Sequence, residues 1–263
     1  MPHLHLKLEP ANGLLLFVPE IELDGAAAAF STRVRLAPTG PKFCNFGYYG
    51  IPGAQASRKR LCDALALPPE RLTTGEQTHT ANIAVINEEL AGRGGFKKET
   101  RIPTTDGHVT NLPRTPLAVM TADCVPVLLH DPRSRSIAAV HAGWRGADAG
   151  ILANAVAAMR ANYGADPRNI TALIGPHIGP CCYVIGEELA ARITVPEALE
   201  QKPGGIYLDL GLWCTALLRA AGVPAANIHL SRVCTACHTE LLFSYRADKK
   251  RFGTNASIIA LTD

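Results

Sequence analysis

The chain is predicted to fold as a layered α/β domain, on three observations. Strand-like and helix-like segments alternate along most of its length. Short apolar runs bounded by Gly, Pro and polar clusters mark buried strands, while longer segments carry apolar residues at helical spacing. With 263 residues, 47% hydrophobic and 19% charged, the chain can bury about three quarters of the surface its unfolded form exposes. One domain over residues 1–263 is expected.

Taken in order, residues 14–18 and 29–36 have the pattern of strands, whereas the N-terminal MPHLHLKLEP is expected to be loose. Residues 38–53, PTGPKFCNFGYYGIPG, are dense in Gly, Pro and aromatics and predict tight turns. Residues 57–67 fit a helix with Leu61 and Leu65 on one side and Pro68-Pro69 as its stop. A short strand over 82–86 follows Gln77-Thr78-His79-Thr80. Between 87 and 105, Gly92, Gly94 and Gly95 beside a charged run predict a surface excursion. Pro103, Pro113 and Pro116 exclude a continuous helix there, and a strand is expected at 108–110.

Residues 119–150, VMTADCVPVLLHDPRSRSIAAVHAGWRGADAG, read as two apolar strand-like runs around a polar turn, then a glycine-rich turn entering a helix. Asp148 is expected to cap that helix, which runs to Asn162 with Ile151, Leu152, Ala155, Val156 and Met159 inward and Gly164 at its end. Further strands are expected at 170–175, 228–233, 241–245 and 257–261. Asp209 should cap a helix carrying Leu210, Trp213, Leu217 and Ala221, ended by Gly222.

Composition narrows the function classes. A formal charge of +3 with scattered Lys and Arg does not suit nucleic acid, and the clusters Arg58-Lys59-Arg60 and Lys249-Lys250-Arg251 are expected to be solvated surface. No apolar run approaches the roughly 20 residues that span a bilayer, so no membrane partner is expected. The N-terminus does not have the pattern of a secretory signal. Eight cysteines without such a signal favour thiols or metal ligands over a disulfide framework, and the cytoplasm as location.

Chemistry concentrates where the two central runs return on themselves. Cys124 and His141 can meet there, and His79 is a plausible third ligand. One thiolate and two imidazoles around zinc would leave a fourth tetrahedral position open, as in catalytic sites. Spacing alone is a weak signal, and it favours the alternative in which Cys124 is an apolar filler and each histidine a satisfied polar residue. Asp123 needs a partner inside an apolar run; it is a catalytic candidate or the organiser of a turn. Arg145 can hold phosphate or carboxylate by a fork of hydrogen bonds, or simply be solvated.

Taken together, Thr121-Ala122-Asp123-Cys124-Val125-Pro126, His141-Ala142-Gly143-Trp144-Arg145-Gly146 and Gln77-Thr78-His79 resemble the YfiH or laccase-domain family, also called multicopper polyphenol oxidoreductases. The resemblance covers nearly the whole chain. It includes Phe30-Ser31-Thr32-Arg33, Asn45-Phe46-Gly47, the segment from Ile174-Gly175-Pro176 to Tyr183, Cys234-Thr235 and Phe243-Ser244-Tyr245-Arg246. Departures fall at Val34-Arg35-Leu36, Gly50-Ile51, Ala247 and Gly253-Thr254; they spare the metal triad and touch positions expected near substrate.

The resemblance implies a single layered α/β/β/α sandwich with mixed sheets and outer helices, and a metal site of His79, Cys124 and His141. It implies phosphorolysis of purine nucleosides (adenosine, inosine and methylthioadenosine) together with adenosine deamination, and an older assignment as a copper-dependent polyphenol oxidase. A distant similarity to toxin-type cysteine hydrolases keeps a Cys124–His141 thiol mechanism open. Zinc, one per chain, is the expected cofactor, with copper possible on ligand softness. Arg33, Arg145, Arg246, Asn45 and His177 are the expected substrate or phosphate contacts. Tyr48 or Trp144 is the expected base-stacking ring, and Glu76, His177 or Asp123 the acid/base candidate. Nine histidines in all are few for a multicopper cluster, so phenol oxidation is expected to be the weaker activity. The non-enzyme alternative is a zinc knot built on Cys234-Thr235-Ala236-Cys237 with Cys181, Cys182 or His238. Purine nucleoside and phosphate are the expected partners, and a monomer or weak homodimer the expected state.

Overall fold

The structure is a computed structural model that describes residues 2–36, 42–48, 53–249 and 253–263. In chain order the strands are β1 (Leu6–Ala11), β2 (Leu14–Pro19), β3 (Ala26–Arg35), β4 (Lys42–Phe43), β5 (Ile83–Val85), β6 (Gly107–Thr110), β7 (Leu117–Thr121), β8 (Val125–Asp131), β9 (Ser136–Ala142), β10 (Thr171–Ile174), β11 (Val184–Ile185), β12 (Leu199–Lys202), β13 (Gly205–Leu208), β14 (Ile228–Leu230) and β15 (Asn255–Leu261). The helices are α1 (Ala54–Ala64), α2 (Trp144–Asp148), α3 (Ile151–Tyr163), α4 (Glu187–Ala190), α5 (Leu210–Ala220) and α6 (Tyr245–Asp248).

Among the described residues these strands form two six-stranded sheets and one of three strands. The first runs β1-β2-β3-β15-β7 with β4 on β3, the second β14-β10-β8-β9-β6-β5, and the small one β11-β13-β12. Pairing is antiparallel except at β10–β14 and β5–β6, so the second sheet is mixed. Phe17, Phe30, Val119 and Ile259 of the first sheet share one core with Leu128, Ile137, Ala139 and Leu173 of the second. On the far face of the second sheet, Val125, Val127, Leu129 and Val140 pack with Ile151, Leu152, Ala155 and Met159 of α3 and Trp213 of α5. Leu61 and Cys62 of α1 cover the first sheet through Leu14, Leu16 and Ile258. The result is the expected α/β/β/α sandwich. Because β8 and β9 are buried on both faces, their sequences read as unbroken apolar runs rather than as alternation. No helix among the described residues is long and apolar enough to cross a membrane.

Several elements differ from expectation for identifiable reasons. The N-terminus is β1, paired along its length with β2 through the Asn12-Gly13 turn, whose φ angles of 46° and 74° suit a primed hairpin turn. As an edge strand with Lys7 and Glu9 it lacks the apolar signature of a central one. The run at 119–131 is two strands in opposite sheets, with the chain crossing at Ala122-Asp123-Cys124. Asp148 ends α2 and pairs with Arg192, while Gly150 stands at the start of α3. Residues 241–245 are not a strand. The Asn255 side chain takes both the N–H and the carbonyl of Phe243 in place of a ladder, and Ser244 then caps α6.

Arg58 is not solvated surface but buried, donating from Nε to the Gly95 carbonyl at 2.7 Å. Residues 87–105 lie against 73–76 through Thr74 N–H to the Arg93 carbonyl and a bridge between Gly75 and Ile102. The expected turns at 37–41 and 49–52, the Gly50-Ile51 departure and the Lys250-Arg251 pair fall outside the described residues.

Candidate metal centre

Three separate elements bring the triad together at one end of the sandwich. Cys124 sits in the crossover from β7 to β8, His141 near the end of β9, and His79 in the turn before β5. Their donor atoms all lie within 4.8 Å of one another. Cys124 Sγ is 3.7 Å from His79 Nε2, and the two imidazole centroids are 4.9 Å apart at 71°. A tetrahedral zinc bound to one sulfur and two nitrogens would hold sulfur and nitrogen about 3.6 Å apart. The donor set therefore fits such an ion, and all three donor residues line one cleft.

Local sequence explains why these side chains converge. Gln77 donates its amide to the Met120 carbonyl at 2.7 Å and accepts the Met120 N–H at 2.8 Å, stapling the His79 turn to the edge of β7. His79 itself has φ 65°, a strained conformation for a non-glycine residue. It is held by Asp106, whose buried carboxylate accepts the backbone N–H groups of Thr78, His79 and Thr80. Asp106 Oδ1 also lies 2.7 Å from His141 Nδ1, which leaves Nε2 of His141 as the metal-facing nitrogen. At Gly143 a Cβ would stand 2.6 Å from the His79 ring and 3.1 Å from Cys124 Sγ, so only glycine lets the chain pass beneath the centre.

Electrostatics binds the group into one unit. Burial alone would push the Cys124 thiol up, but the neighbouring His141 charge and hydrogen bonds from both histidines outweigh it and bring the thiol down to about 6. Burial also opposes a charged His141; the Cys124 thiolate and the Asp106 hydrogen bond overcome it and raise the imidazole to about 9. For Asp106, burial is outweighed by the hydrogen bonds from His141 and Thr80, which hold the carboxyl well below the usual range. Without metal, Cys124 is thus a thiolate above about pH 6, and an ordinary cysteine only above about 8.5. In metal-stripped protein, Cys124 alkylation followed by mass spectrometry should rise through pH 6. At pH 7 the thiolate fraction is about thirtyfold that of an ordinary thiol, and the lower nucleophilicity of a low-pKa thiolate leaves a rate about two- to threefold higher. A midpoint near 8.5 would show that the His141 pairing is not formed.

The centre opens into a cleft of about 500 Å³, within the range that holds drug-sized ligands. Arg145 and Arg246 reach it as expected, Arg145 lying over the Trp144 ring at 4.2 Å. Tyr48 and Trp144 also line it. Arg33 does not reach the cleft: it is buried between Phe43 and Phe243, donating to Thr239 and Asp248. Asn45 is buried in a turn, where its carbonyl accepts the N–H groups of Gly47 and Thr254. His177 is buried beneath the wall, its Nδ1 2.8 Å from the Gly175 carbonyl. Asp123 lines the cleft with φ 91°, accepting Thr235 Oγ1–H at 2.6 Å and the Arg246 N–H at 2.7 Å. Those bonds hold the turn that presents Cys124. Glu76 accepts from Arg101 at 3.1 Å.

Sequence reasoning missed Arg101, Tyr183 and Asp106. Arg101 and Tyr183 line the cleft, the former delivered by the irregular 87–105 segment. Asp106 had a signal, an acid just before the strand expected at 108–110, which needs a partner if buried.

Fold and donor set together define a layered sandwich protein with a candidate metal-binding cluster and enzymatic potential. The family model for multi-copper polyphenol oxidoreductase laccase matches residues 53–262, and the chain belongs to that family. It is 36% identical over 211 residues to the purine nucleoside phosphorylase YlmD of Geobacillus stearothermophilus, covering 78% of this chain and 76% of that one. It is 32% identical over 245 residues to the adenosine deaminase RL5 of an unknown prokaryotic organism, covering 89% and 92%. The crystal structure of YlmD from Geobacillus stearothermophilus aligns over 100% of both chains, with a TM-score of 0.88 at 28% identity.

Proposed function

We propose that this protein is a zinc-dependent purine nucleoside phosphorylase acting on adenosine, inosine and methylthioadenosine, with adenosine deaminase activity at the same centre. The observation that carries this reading is a one-thiolate, two-imidazole donor set at the floor of a cleft of nucleoside size flanked by arginines. His79, Cys124 and His141 would hold the zinc, which supplies Lewis acidity and water activation there.

The remaining work falls to the chain's own residues. Phosphorolysis requires orthophosphate near C1′ while the purine departs, and Arg145, Arg246 and Arg101 are the cleft cations suited to that anion. Tyr48, Trp144 and Tyr183 offer ring faces to the base. Asp123 keeps the Cys124 turn in place through Thr235 and the Arg246 N–H. Four-electron reduction of oxygen by a laccase needs several coppers, whereas this triad is a mononuclear donor set; phenol oxidation is therefore the slower reaction.

The test is zinc-loaded protein incubated with adenosine, with and without phosphate, resolving adenine, inosine and hypoxanthine. Adenine only with phosphate establishes phosphorolysis, and inosine without phosphate establishes deamination. Neither product from protein shown to carry the metal, or strong phenol turnover with no nucleoside cleavage, would overturn the reading.

A further inference from the structure

Outside the cleft's triad, four more thiols converge. The sulfurs of Cys181, Cys182, Cys234 and Cys237 all lie within 4.8 Å of one another. Cys237 Sγ is 3.4 Å from both Cys181 Sγ and Cys182 Sγ, and all four cysteines are free rather than disulfide-bonded. They come from two chain segments far apart in sequence, an adjacent pair and a C-x-x-C curl.

The backbone organises both segments toward this point. His177 N–H donates to the Val233 carbonyl at 3.3 Å and Thr235 N–H to the His177 carbonyl at 2.9 Å, locking the two turns side by side. Cys234, the buried member, accepts the Gly179 N–H on its sulfur at 3.2 Å. Amide donors aimed at sulfur suit a thiolate that carries charge.

We propose that Cys181, Cys182, Cys234 and Cys237 form a second, closed zinc site that ties the 175–183 turn to the 233–238 turn. Four sulfurs held about 2.3 Å from a tetrahedral zinc stand about 3.8 Å apart, close to the two 3.4 Å separations at Cys237 and inside the 4.8 Å that encloses all four. The cluster is too tight to enclose an iron–sulfur cube, whose cysteine sulfurs must reach around several metal atoms. All-thiolate ligation favours a soft or borderline ion, and zinc is the common occupant of tetrahedral four-sulfur sites. Binding displaces the thiol protons and involves no electron transfer.

With four protein ligands the site has no position for substrate, so its role is structural. It nevertheless frames the cleft. Tyr183, next to Cys182, lines the cleft wall, and Thr235, next to Cys234, bonds the Asp123 carboxylate beside Cys124.

Metal counting tests the proposal without reference to activity. Protein purified with a thiol reductant and no chelator should carry two zinc ions per chain. Cys124→Ser and Cys237→Ser should each carry one. Cobalt loaded into Cys124→Ser should show the strong thiolate charge-transfer and tetrahedral d–d absorption of a four-sulfur site, and Cys237→Ser should lack it. Should Cys237→Ser fail to fold, the cobalt spectrum of Cys124→Ser still decides, because that variant leaves all four thiols in place. One zinc in the parent, none in Cys124→Ser and no four-sulfur cobalt spectrum would overturn the second site. So would a disulfide from Cys237 to Cys181 or Cys182 in protein prepared anaerobically. A single zinc in the parent, kept in Cys124→Ser and absent from Cys237→Ser, would support this site while removing the basis of the phosphorylase reading.

Discussion

Serine in place of Cys124 is expected to abolish metal binding at the three-donor centre and to lower nucleoside turnover by more than about 100-fold, with the fold retained. The thiol is the only sulfur of the triad and the soft ligand that favours zinc over harder ions. A serine hydroxyl stays protonated at neutral pH and cannot replace it. The crossover carrying Cys124 is held by other groups: the Asp123 carboxylate on Thr235 and the Arg246 N–H, and the Asp123 carbonyl on the Ile178 N–H. Far-UV dichroism and thermal unfolding of the apo proteins should therefore match. Zinc content and turnover check the prediction, and full activity in metal-replete C124S would refute it.

Asp106→Asn is expected to weaken zinc binding by about 10- to 100-fold and to destabilise the protein by about 3 kcal/mol. The two carboxylate oxygens accept from three backbone N–H groups, the Thr80 hydroxyl and His141. Asparagine has the same shape but turns one acceptor into a donor. If its amide nitrogen faces His141 Nδ1, the imidazole carries its proton on Nε2 and the metal-facing lone pair is lost. If the nitrogen faces residues 78–80, the loop holding His79 meets donor against donor. Each arrangement loosens at least one of the two histidine donors. Zinc titration and chemical denaturation check this, and unchanged values in both would show that Asp106 does not orient the histidines.

Asp106 also shows where the sequence stops being legible. The three donor residues were legible mainly through the resemblance of their motifs, helped by places where a chain turns: Cys124 and His141 stand beside apolar runs, and His79 sits in a Gly- and Thr-rich turn before one. What holds them could not be read so easily. Asp106 lies 35 residues before His141, and only the register of β6 on β9, Gly107 opposite Val140, brings the two together.

Arg33 shows the opposite failure. An arginine in a familiar motif was assigned to phosphate, yet Phe43, Phe243 and Asp248 enclose it. Two of those three neighbours, Phe243 and Asp248, lie more than 200 residues away in the chain. The helices α3 and α5 were legible from local spacing because one face of each meets the second sheet's core. The edge strand β1 was not, because an edge need not be apolar. The zinc-knot alternative was weak on spacing, since its two cysteine pairs lie far apart in sequence; the bridge between His177 and Cys234 is what brings them together.

The position of β15 between β3 and β7 has a temporal consequence. During synthesis β6, β8 and β9, the last of which carries His141, have all been made once residue 142 has emerged. The first sheet cannot close until Leu261 has been made, because its early strands and β7 meet only through that last one. Until then β7 lacks its ladder neighbour, and the Cys124 crossover hangs from one finished sheet and one unfinished one. The β7 side that carries both the Cys124 crossover and the Gln77 staple of the His79 turn therefore gains its ladder neighbour only with the last strand.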